Sequence, residues 1–322
     1  MNSSRGKILV IRGGAIGDFI LTLPAIAALR KQFSDAHLEV LGYPHIAQLA
    51  LAGGVVDRVQ SIEARALAGF FARGGALSED LMDYFSEFDI IVSYLFDPDL
   101  IFQTNVALCS RTQFISGPHR PKEAEKIHAT KVYLKPLERL AIFGADHRPH
   151  LRIGPRPVNS ALRLAIHPGS GSETKNWPEK NWADLLQHLI RSTQLNLLLV
   201  GGEAEGERLH RLAAQLPPTR IQLAQSRPLP ELAEELQQCI AFIGHDSGIS
   251  HLAAALGLPG LILWGDTIEE IWRPPHQTVS ILKHPGGLSK ISVEQVVLEL
   301  ERLLGKGFLS RVKFATAEFG NH

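Results

Sequence analysis

The sequence has few of the features that mark disulfide-rich, membrane-spanning or nucleic-acid-binding proteins. Its 322 residues include two cysteines, Cys109 and Cys239, which form no CxxC pair; this excludes a thiolate zinc site and favours a reducing compartment. No stretch approaches the ~20 apolar residues that span a bilayer, and the apolar run at the start is too short for a signal peptide. Lys and Arg number 33, as do Asp and Glu, so the formal net charge of zero argues against bulk nucleic-acid binding.

What is present fits a globular protein of about two domains. A hydrophobic fraction of 45% with 20% charged residues allows a large core and excludes disorder as the dominant state. We therefore expect a cytoplasmic protein, with a role at a membrane surface left open.

Short apolar runs alternate with stretches of helical period along the whole chain. This alternation predicts right-handed βαβ units and parallel sheets. A proline-rich stretch, 146–160, interrupts the pattern and predicts a linker, so we expect domains at 1–152 and 153–305. The predicted strands are 7–13, 37–43, 55–62, 88–95, 113–117, 163–169, 196–202, 220–225, 239–247, 260–265 and 278–284. Among the predicted helices is one long segment, 122–143.

A glycine-rich loop follows the first strand and ends in Gly17 and Asp18. Its GGxxG spacing differs from the dinucleotide fingerprint GxGxxG, and an acidic residue after the last glycine would repel a pyrophosphate. Asp18 is either a capping residue of the following helix or a carboxylate that faces a cleft. Pro24 leaves open a later helix start, with Thr22 as the N-cap.

Three loops of the second half also follow predicted strands. They are rich in Gly, Ser, Thr and His, which suits an anion and predicts a phosphorylated ligand at the strand ends. Lys175 adds a mobile positive charge. His251 is either a ligand contact or a half-buried structural histidine. The candidate residues are His167, Ser170, Gly171, Lys175, Asp246, Ser247, Gly248, His251 and Gly265.

Metal ligands are sparse. The sequence has no HxxxH or HExxH pattern, and the pair Asp97 and Asp99 lacks a neighbouring acidic or histidine partner. We therefore expect neither a metal nor a cofactor.

The motifs RGGAIGDFILTLPAIAALR (12–30), HPGSGSETKNWPEKNW (167–182) and GHDSGISHLAAALGLPGLILWGDT (244–267) resemble those of the heptosyltransferases of glycosyltransferase family 9. The resemblance implies a GT-B fold, in which two Rossmann-like domains with open parallel sheets face a central cleft. The first domain would bind the acceptor, the second the nucleotide sugar, and the segment 306–322 would pack back on the first domain.

The resemblance also implies the chemistry. Asp18 would be the general base, Lys175 the contact to the leaving phosphate, and Gly17 with the loop residues listed above would bind the donor, which the resemblance gives as ADP-heptose. The reaction would be an inverting, metal-independent transfer to a lipopolysaccharide-core or other cell-surface glycan. It would take place in the cytoplasm, where peripheral association with the inner membrane stays open.

The first half departs from the family in charge. Residues 60–110 contain two basic and eight acidic side chains, which would repel a multiply phosphorylated acceptor. Basic residues follow only later, among them Arg120 and Lys122, which we expect to bind the acceptor. Three alternatives stay open: a sugar-nucleotide epimerase or hydrolase of the same fold, a non-catalytic nucleotide-sugar-binding module and, least favoured, a dinucleotide-dependent dehydrogenase.

Overall fold

The computed structural model describes residues 5–154, 162–170 and 175–305. The chain divides between Arg152 and Ile153 into two compact units. Residues 155–160 of the predicted linker and the segment 306–322 lie outside the described residues.

The first unit is built on a parallel sheet of five strands in the order β3-β2-β1-β4-β5. Its apolar runs form the strands because a sheet covered on both faces buries each strand completely. The strands are β1 (Lys7–Arg12), β2 (His37–Gly42), β3 (Arg58–Ser61), β4 (Ile90–Ser93) and β5 (Gln113–Ser116). The helices are α1 (Ile16–Gln32), α2 (Pro44–Ala52), α3 (Glu79–Ser86), α4 (Ile101–Cys109) and α5 (Ala129–Leu134).

The second unit has a parallel sheet of six strands in the order β11-β10-β9-β6-β7-β8. Both sheets reverse their strand order beside their first strand, as doubly wound nucleotide-binding folds do. The strands are β6 (Arg163–His167), β7 (Asn196–Gly201), β8 (Ile221–Gln225), β9 (Ala241–His245), β10 (Gly260–Trp264) and β11 (Val279–Lys283). The helices are α6 (Glu179–Ser192), α7 (Gly206–Ala213), α8 (Leu229–Gln237), α9 (Gly248–Ala255), α10 (Glu269–Trp272) and α11 (Val293–Leu304).

These two parallel α/β units confirm the predicted fold class, but the prediction of one long helix over 122–143 is wrong. That segment contains a 3₁₀ turn, the short helix α5 and a second 3₁₀ stretch, Lys135–Leu140. Lys126 and Ala141 adopt left-handed backbone conformations, with φ of 50° and 56°, which an α-helix does not tolerate. The broken helix shapes a cavity that is described below.

Candidate functional site

Asp18 lies in the first turn of α1, beside the carboxyl end of β1. Ala15 is the N-cap residue, and the Asp18 Oδ2 atom accepts a hydrogen bond from the Ala15 N–H at 3.2 Å. Gly14 has a φ of +100°, and a Cβ atom there would lie 3.1 Å from Asp18 Oδ2, so glycine suits both the turn and the close carboxylate. About a third of the Asp18 side chain (32%) remains exposed.

The helix therefore begins before Thr22, and the possibility that Thr22 is its N-cap is wrong. Pro24 lies inside the helix, and the Thr22 hydroxyl donates to the Asp18 carbonyl at 2.8 Å. Asp18 closes the first turn from the third helical position, which still leaves its second carboxylate oxygen for another partner.

That partner is Arg12, a residue that the sequence analysis did not single out. Arg12 ends β1 and is only 3% exposed, and its guanidinium lies 3.5 Å from Asp18 Oδ1. The same group donates to the carbonyl of His119 at 2.9 Å and to that of Asp18 at 3.3 Å. It also lies over the ring of Tyr133, with 4.6 Å between the guanidinium carbon and the ring centre. A buried cation thus holds the Asp18 carboxylate in one orientation.

In the second unit, the loops after β6 and β9 meet where the sheet reverses its order. His167 at the end of β6 lies 3.3 Å from the Ser247 hydroxyl, measured from Nδ1 to Oγ. Ser247 is the N-cap of α9, and its Oγ accepts from the Ser250 N–H at 3.4 Å. The free N–H groups and the dipole at the start of α9 favour an anion here.

Lys175 and Asp246 meet at the same place. The Lys175 Nζ atom lies 3.0 Å from Asp246 Oδ2, and 43% of the lysine side chain is exposed against 10% of the aspartate. The pair comes from residues 71 positions apart, which the two strand ends bring together. Asp246 therefore holds a solvent-accessible ammonium group immediately before the helix N-terminus.

His245 is a second residue whose importance the sequence did not reveal. It is fully buried at the end of β9, and its Nε2 accepts from the Trp177 N–H at 2.8 Å. Its Nδ1 lies 3.1 Å from the Gly169 carbonyl. A carbonyl only accepts, so Nδ1 carries the proton and the imidazole is neutral. His245 thereby fixes the chain on either side of Lys175.

Burial determines the protonation of both histidines. It lowers the pKa of His167 to about 4 and that of His245 to about 3, and the Gly169 carbonyl offsets only part of the effect for His245. Both side chains are therefore neutral at physiological pH. A neutral His245 is required for the hydrogen bond that it accepts from Trp177.

These two shifts predict acid sensitivity of the second unit. In the unfolded chain each histidine binds a proton below pH ~6.5, whereas the folded unit resists protonation, so stability falls as the pH drops from about 7 towards 4. At pH 5 the loss is at most about 2 kcal/mol per histidine. All four tryptophans lie in this unit, so urea unfolding at pH 7.5 and 5.0, followed by tryptophan fluorescence, measures it.

Replacement of His245 by Gln is expected to reduce this pH dependence, whereas replacement of the exposed His188 by Gln serves as the matched control. Equal stability at both pH values for the unaltered protein would contradict the assignment of neutral, buried histidines.

The other candidate residues surround these contacts. Gly17 lies in the first turn of α1, Gly248 begins α9 and Gly265 follows β10. Ser170 donates from its hydroxyl to Asn176 Oδ1 at 2.8 Å. His251 is buried one turn inside α9, and its backbone N–H donates to the Ser247 carbonyl at 3.3 Å. Gly171 lies outside the described residues.

Arg120 and Lys122 line a cavity of about 980 Å³ in the first unit. Each is also paired with a carboxylate of the same segment: Arg120 lies 3.4 Å from Glu123, and Lys122 lies 3.6 Å from Glu125. The cavity therefore contains less free positive charge than its sequence suggests.

The acidic stretch 60–110 has structural partners. Asp97 accepts the N–H groups of Phe102 and Gln103 at 3.1 and 3.0 Å, and so caps α4. Asp89 accepts the N–H of Lys7 at 2.8 Å.

In the part of the chain that the structure describes, no group of three His, Cys, Asp or Glu side chains is placed to hold a metal ion. Within the same residues, no helix combines the length and apolarity needed to cross a bilayer.

The fold is similar to that of known glycosyltransferases of GT-B architecture. The crystal structure of the glycosyl transferase family 9 from Veillonella parvula superposes with a TM-score of 0.75 at 19% identity, over 94% of this chain and 98% of that one. E. coli heptosyltransferase WaaC with ADP superposes with a TM-score of 0.71 at 18% identity, over 92% of this chain and 99% of that one. The two parallel-sheet units thus define a GT-B fold.

Sequence comparison finds similarity to one glycosyltransferase family. Residues 146–296 match the model of glycosyltransferase family 9 (heptosyltransferase). Lipopolysaccharide heptosyltransferase 1 of Pseudomonas aeruginosa is 30% identical over 47% of this chain, and lipopolysaccharide heptosyltransferase 3 of Escherichia coli is 24% identical over 80% of it. The matches span 41% of the first relative's length and 83% of the second's. The matched residues, a little under half of the chain, are similar to glycosyltransferase family 9.

Proposed function

We propose that the protein is an inverting, metal-independent glycosyltransferase that transfers a heptose from ADP-heptose to a lipopolysaccharide-core or other cell-surface glycan. The observation that carries the proposal is the Lys175–Asp246 pair before the N-terminus of α9, at 3.0 Å, within the residues that match the family. In this proposal the second unit binds the donor and the first unit binds the acceptor.

The second unit would stabilise the leaving diphosphate. Negative charge grows on the departing oxygen, and Lys175 with the N–H groups at the start of α9 can stabilise it without a metal ion. Asp246 would repel a phosphate, so we assign it the role of holding Lys175 in position. Ser247 and His167, which lie 3.3 Å apart, offer polar atoms to the same ligand.

Asp18 would be the general base. The acceptor hydroxyl gives its proton to the Asp18 carboxylate, and the hydroxyl oxygen forms a bond to the anomeric carbon. The bond between the anomeric carbon and the diphosphate breaks, and its electron pair leaves with the diphosphate. Attack opposite the leaving group inverts the anomeric centre. The Asp18 carboxylate suits this role because it is partly exposed, while the buried Arg12 fixes its orientation.

The adenine nucleotide is inferred from relatives, since the solved heptosyltransferase named above contains ADP. A thermal-shift comparison of ADP, UDP, GDP and dTDP tests it, because a ligand that binds the folded state raises Tm, and at equal concentration the tighter ligand raises it more. We expect ADP to give the largest shift. A larger shift with UDP, or no shift with any nucleotide, would contradict the assignment of the donor.

Product analysis separates this proposal from its alternatives. A transferase consumes the nucleotide sugar and yields a glycosylated acceptor, whereas an epimerase or hydrolase of the same fold turns over donor without acceptor. A non-catalytic binding module would leave the donor intact. Mass spectrometry of reactions with and without a core-oligosaccharide acceptor distinguishes all three outcomes.

Chelation is expected to leave the reaction unchanged. Because Lys175 and a helix N-terminus supply the positive potential, removal of divalent cations leaves the leaving group stabilised. Initial rates measured with an excess of EDTA should match untreated rates. Loss of activity that Mg²⁺ restores would overturn the metal-independent mechanism.

A further inference from the structure

The cavity of the first unit combines apolar walls with a small number of basic side chains. It measures about 980 Å³ and lies among residues 116–147, where the broken helix folds back on β5. Its apolar lining includes Ile142, Ile127 and Phe143, and the last two are unusually exposed, at 43% and 70%. Cavities that take a drug-sized ligand typically measure ~300–1,000 Å³, so this one is large enough for such a molecule.

The charges that line the cavity largely neutralise one another. Its four cationic side chains are Arg120, Lys122, Lys131 and Lys135. Three of them pair with Glu123, Glu125 and Glu138, at 3.4, 3.6 and 2.9 Å. Among residues 5–154, 162–170 and 175–305, no carboxylate lies within ion-pair distance of the fourth, Lys131.

His147, which also lines the cavity, adds no further positive charge. Burial lowers its pKa, and the nearby Lys131 ammonium lowers it further, so the imidazole is neutral at pH 7. The cavity thus offers one uncompensated cation beside an apolar wall.

We infer that this cavity binds an amphiphile that carries a single anionic group next to an apolar portion. The anion would pair with Lys131, and the apolar portion would cover Ile127 and Phe143. A ligand with several phosphates would compete for the other cations with the three carboxylates that pair with them. The lining charge therefore matches a ligand with one anionic group best.

The position of the cavity gives this ligand a role. His119 lines it, and the His119 carbonyl accepts from the same Arg12 guanidinium that holds Asp18. An amphiphile in the cavity would thus lie close to the proposed base. The assignment of this amphiphile as the acceptor rests on the proposed function, whereas its binding to the cavity does not.

Binding of dodecyl phosphate tests the inference directly. Isothermal titration calorimetry of the full-length protein, below the critical micelle concentration and without nucleotide, should show binding of one molecule. Inorganic phosphate, which has the charge without the chain, and dodecyl maltoside, which has the chain without the charge, should each bind at least about 10-fold more weakly.

Two variants remove the two halves of the site. Lys131→Gln removes the free cation and Phe143→Ser removes the exposed ring, and each should weaken dodecyl phosphate about 10-fold. Both side chains are exposed, so the fold should survive. The matched controls, Lys31→Gln and Leu108→Ser, change an exposed lysine and an exposed leucine of the same unit outside the cavity.

The outcomes separate the possible ligands. The inference would be overturned if both variants bound dodecyl phosphate as tightly as the unaltered protein does. It would also be overturned if inorganic phosphate bound as tightly as dodecyl phosphate. Binding only to vesicles of anionic lipid, with no binding of monomeric dodecyl phosphate, would identify a membrane-surface contact and also overturn it. The calorimetry contains no nucleotide sugar. Absence of glycosyl transfer in a separate assay would therefore refute the proposed function and leave this binding result unchanged.

Discussion

Replacement of Asp18 by Asn is expected to lower kcat by roughly 10²–10⁴-fold, which is the usual contribution of a general base. The amide keeps the shape of the side chain and can still accept from the Ala15 N–H, but it cannot take the proton of the acceptor hydroxyl. Affinity for the nucleotide should not change, because the residues proposed to bind its diphosphate lie in the second unit. Steady-state kinetics and tryptophan fluorescence titration with ADP measure the two effects separately.

The structure adds a stability cost to this variant. Asp18→Asn leaves the buried Arg12 cation without its counter-ion, which destabilises a fully buried pair by about 3–5 kcal/mol. Because the Asp18 side chain is 32% exposed, we expect a smaller loss, on the order of 1–2 kcal/mol. Hydrogen exchange of α1 can detect it, since the first unit contains no tryptophan.

Asp35→Asn is the matched control for Asp18→Asn, because it removes an exposed carboxylate of the same unit. It should leave both kcat and hydrogen exchange unchanged. An Asp18→Asn protein that is folded and retains near-normal turnover would reduce Asp18 to its hydrogen bond in the first turn of α1.

Replacement of Lys175 by Ala is the second change with a large expected effect. It removes the mobile cation and leaves the Asp246 carboxylate, 10% exposed, facing the proposed diphosphate site. We expect nucleotide affinity to fall about 10–100-fold through loss of a charge-assisted contact. The rate should fall further, by roughly 10²–10³-fold, because charge grows on the leaving group in the transition state.

A double-mutant cycle with Asp246→Asn tests whether the two residues act together. If Asp246 repels the diphosphate once Lys175 is gone, Asp246→Asn should recover part of the lost affinity in the Lys175→Ala background. Lys180→Ala, which removes an exposed lysine that pairs with Asp184, is the control. Normal ADP affinity in Lys175→Ala would contradict the proposed phosphate contact.

The sequence predicted the fold well because the fold depends on local patterns. Apolar runs bounded by glycines mark strands buried on both faces, and all eleven predicted strands correspond to strands among the described residues. The pattern failed over 122–143, where helical periodicity cannot show that Lys126 and Ala141 reverse the backbone. Pro136, within the same stretch, was the one visible warning.

The site was less predictable because its key contacts join distant parts of the chain. The partners of His245 lie 76 and 68 residues away, so the sequence gives its motif but not its role. Arg12 stands beside the glycine loop in sequence, yet only the folded chain shows that the guanidinium is buried against the His119 carbonyl. Likewise, the basic residues near 120 are visible in the sequence, but their carboxylate partners are not.

The proposed reaction is a single displacement at the anomeric carbon of a nucleotide-activated heptose. The most direct test is NMR determination of the anomeric configuration of the heptose that the unaltered protein transfers from ADP-heptose to a core-oligosaccharide acceptor. We expect a glycosidic product whose configuration is opposite to that of the donor. A product with retained configuration, or heptose released only to water in the presence of acceptor, would contradict it.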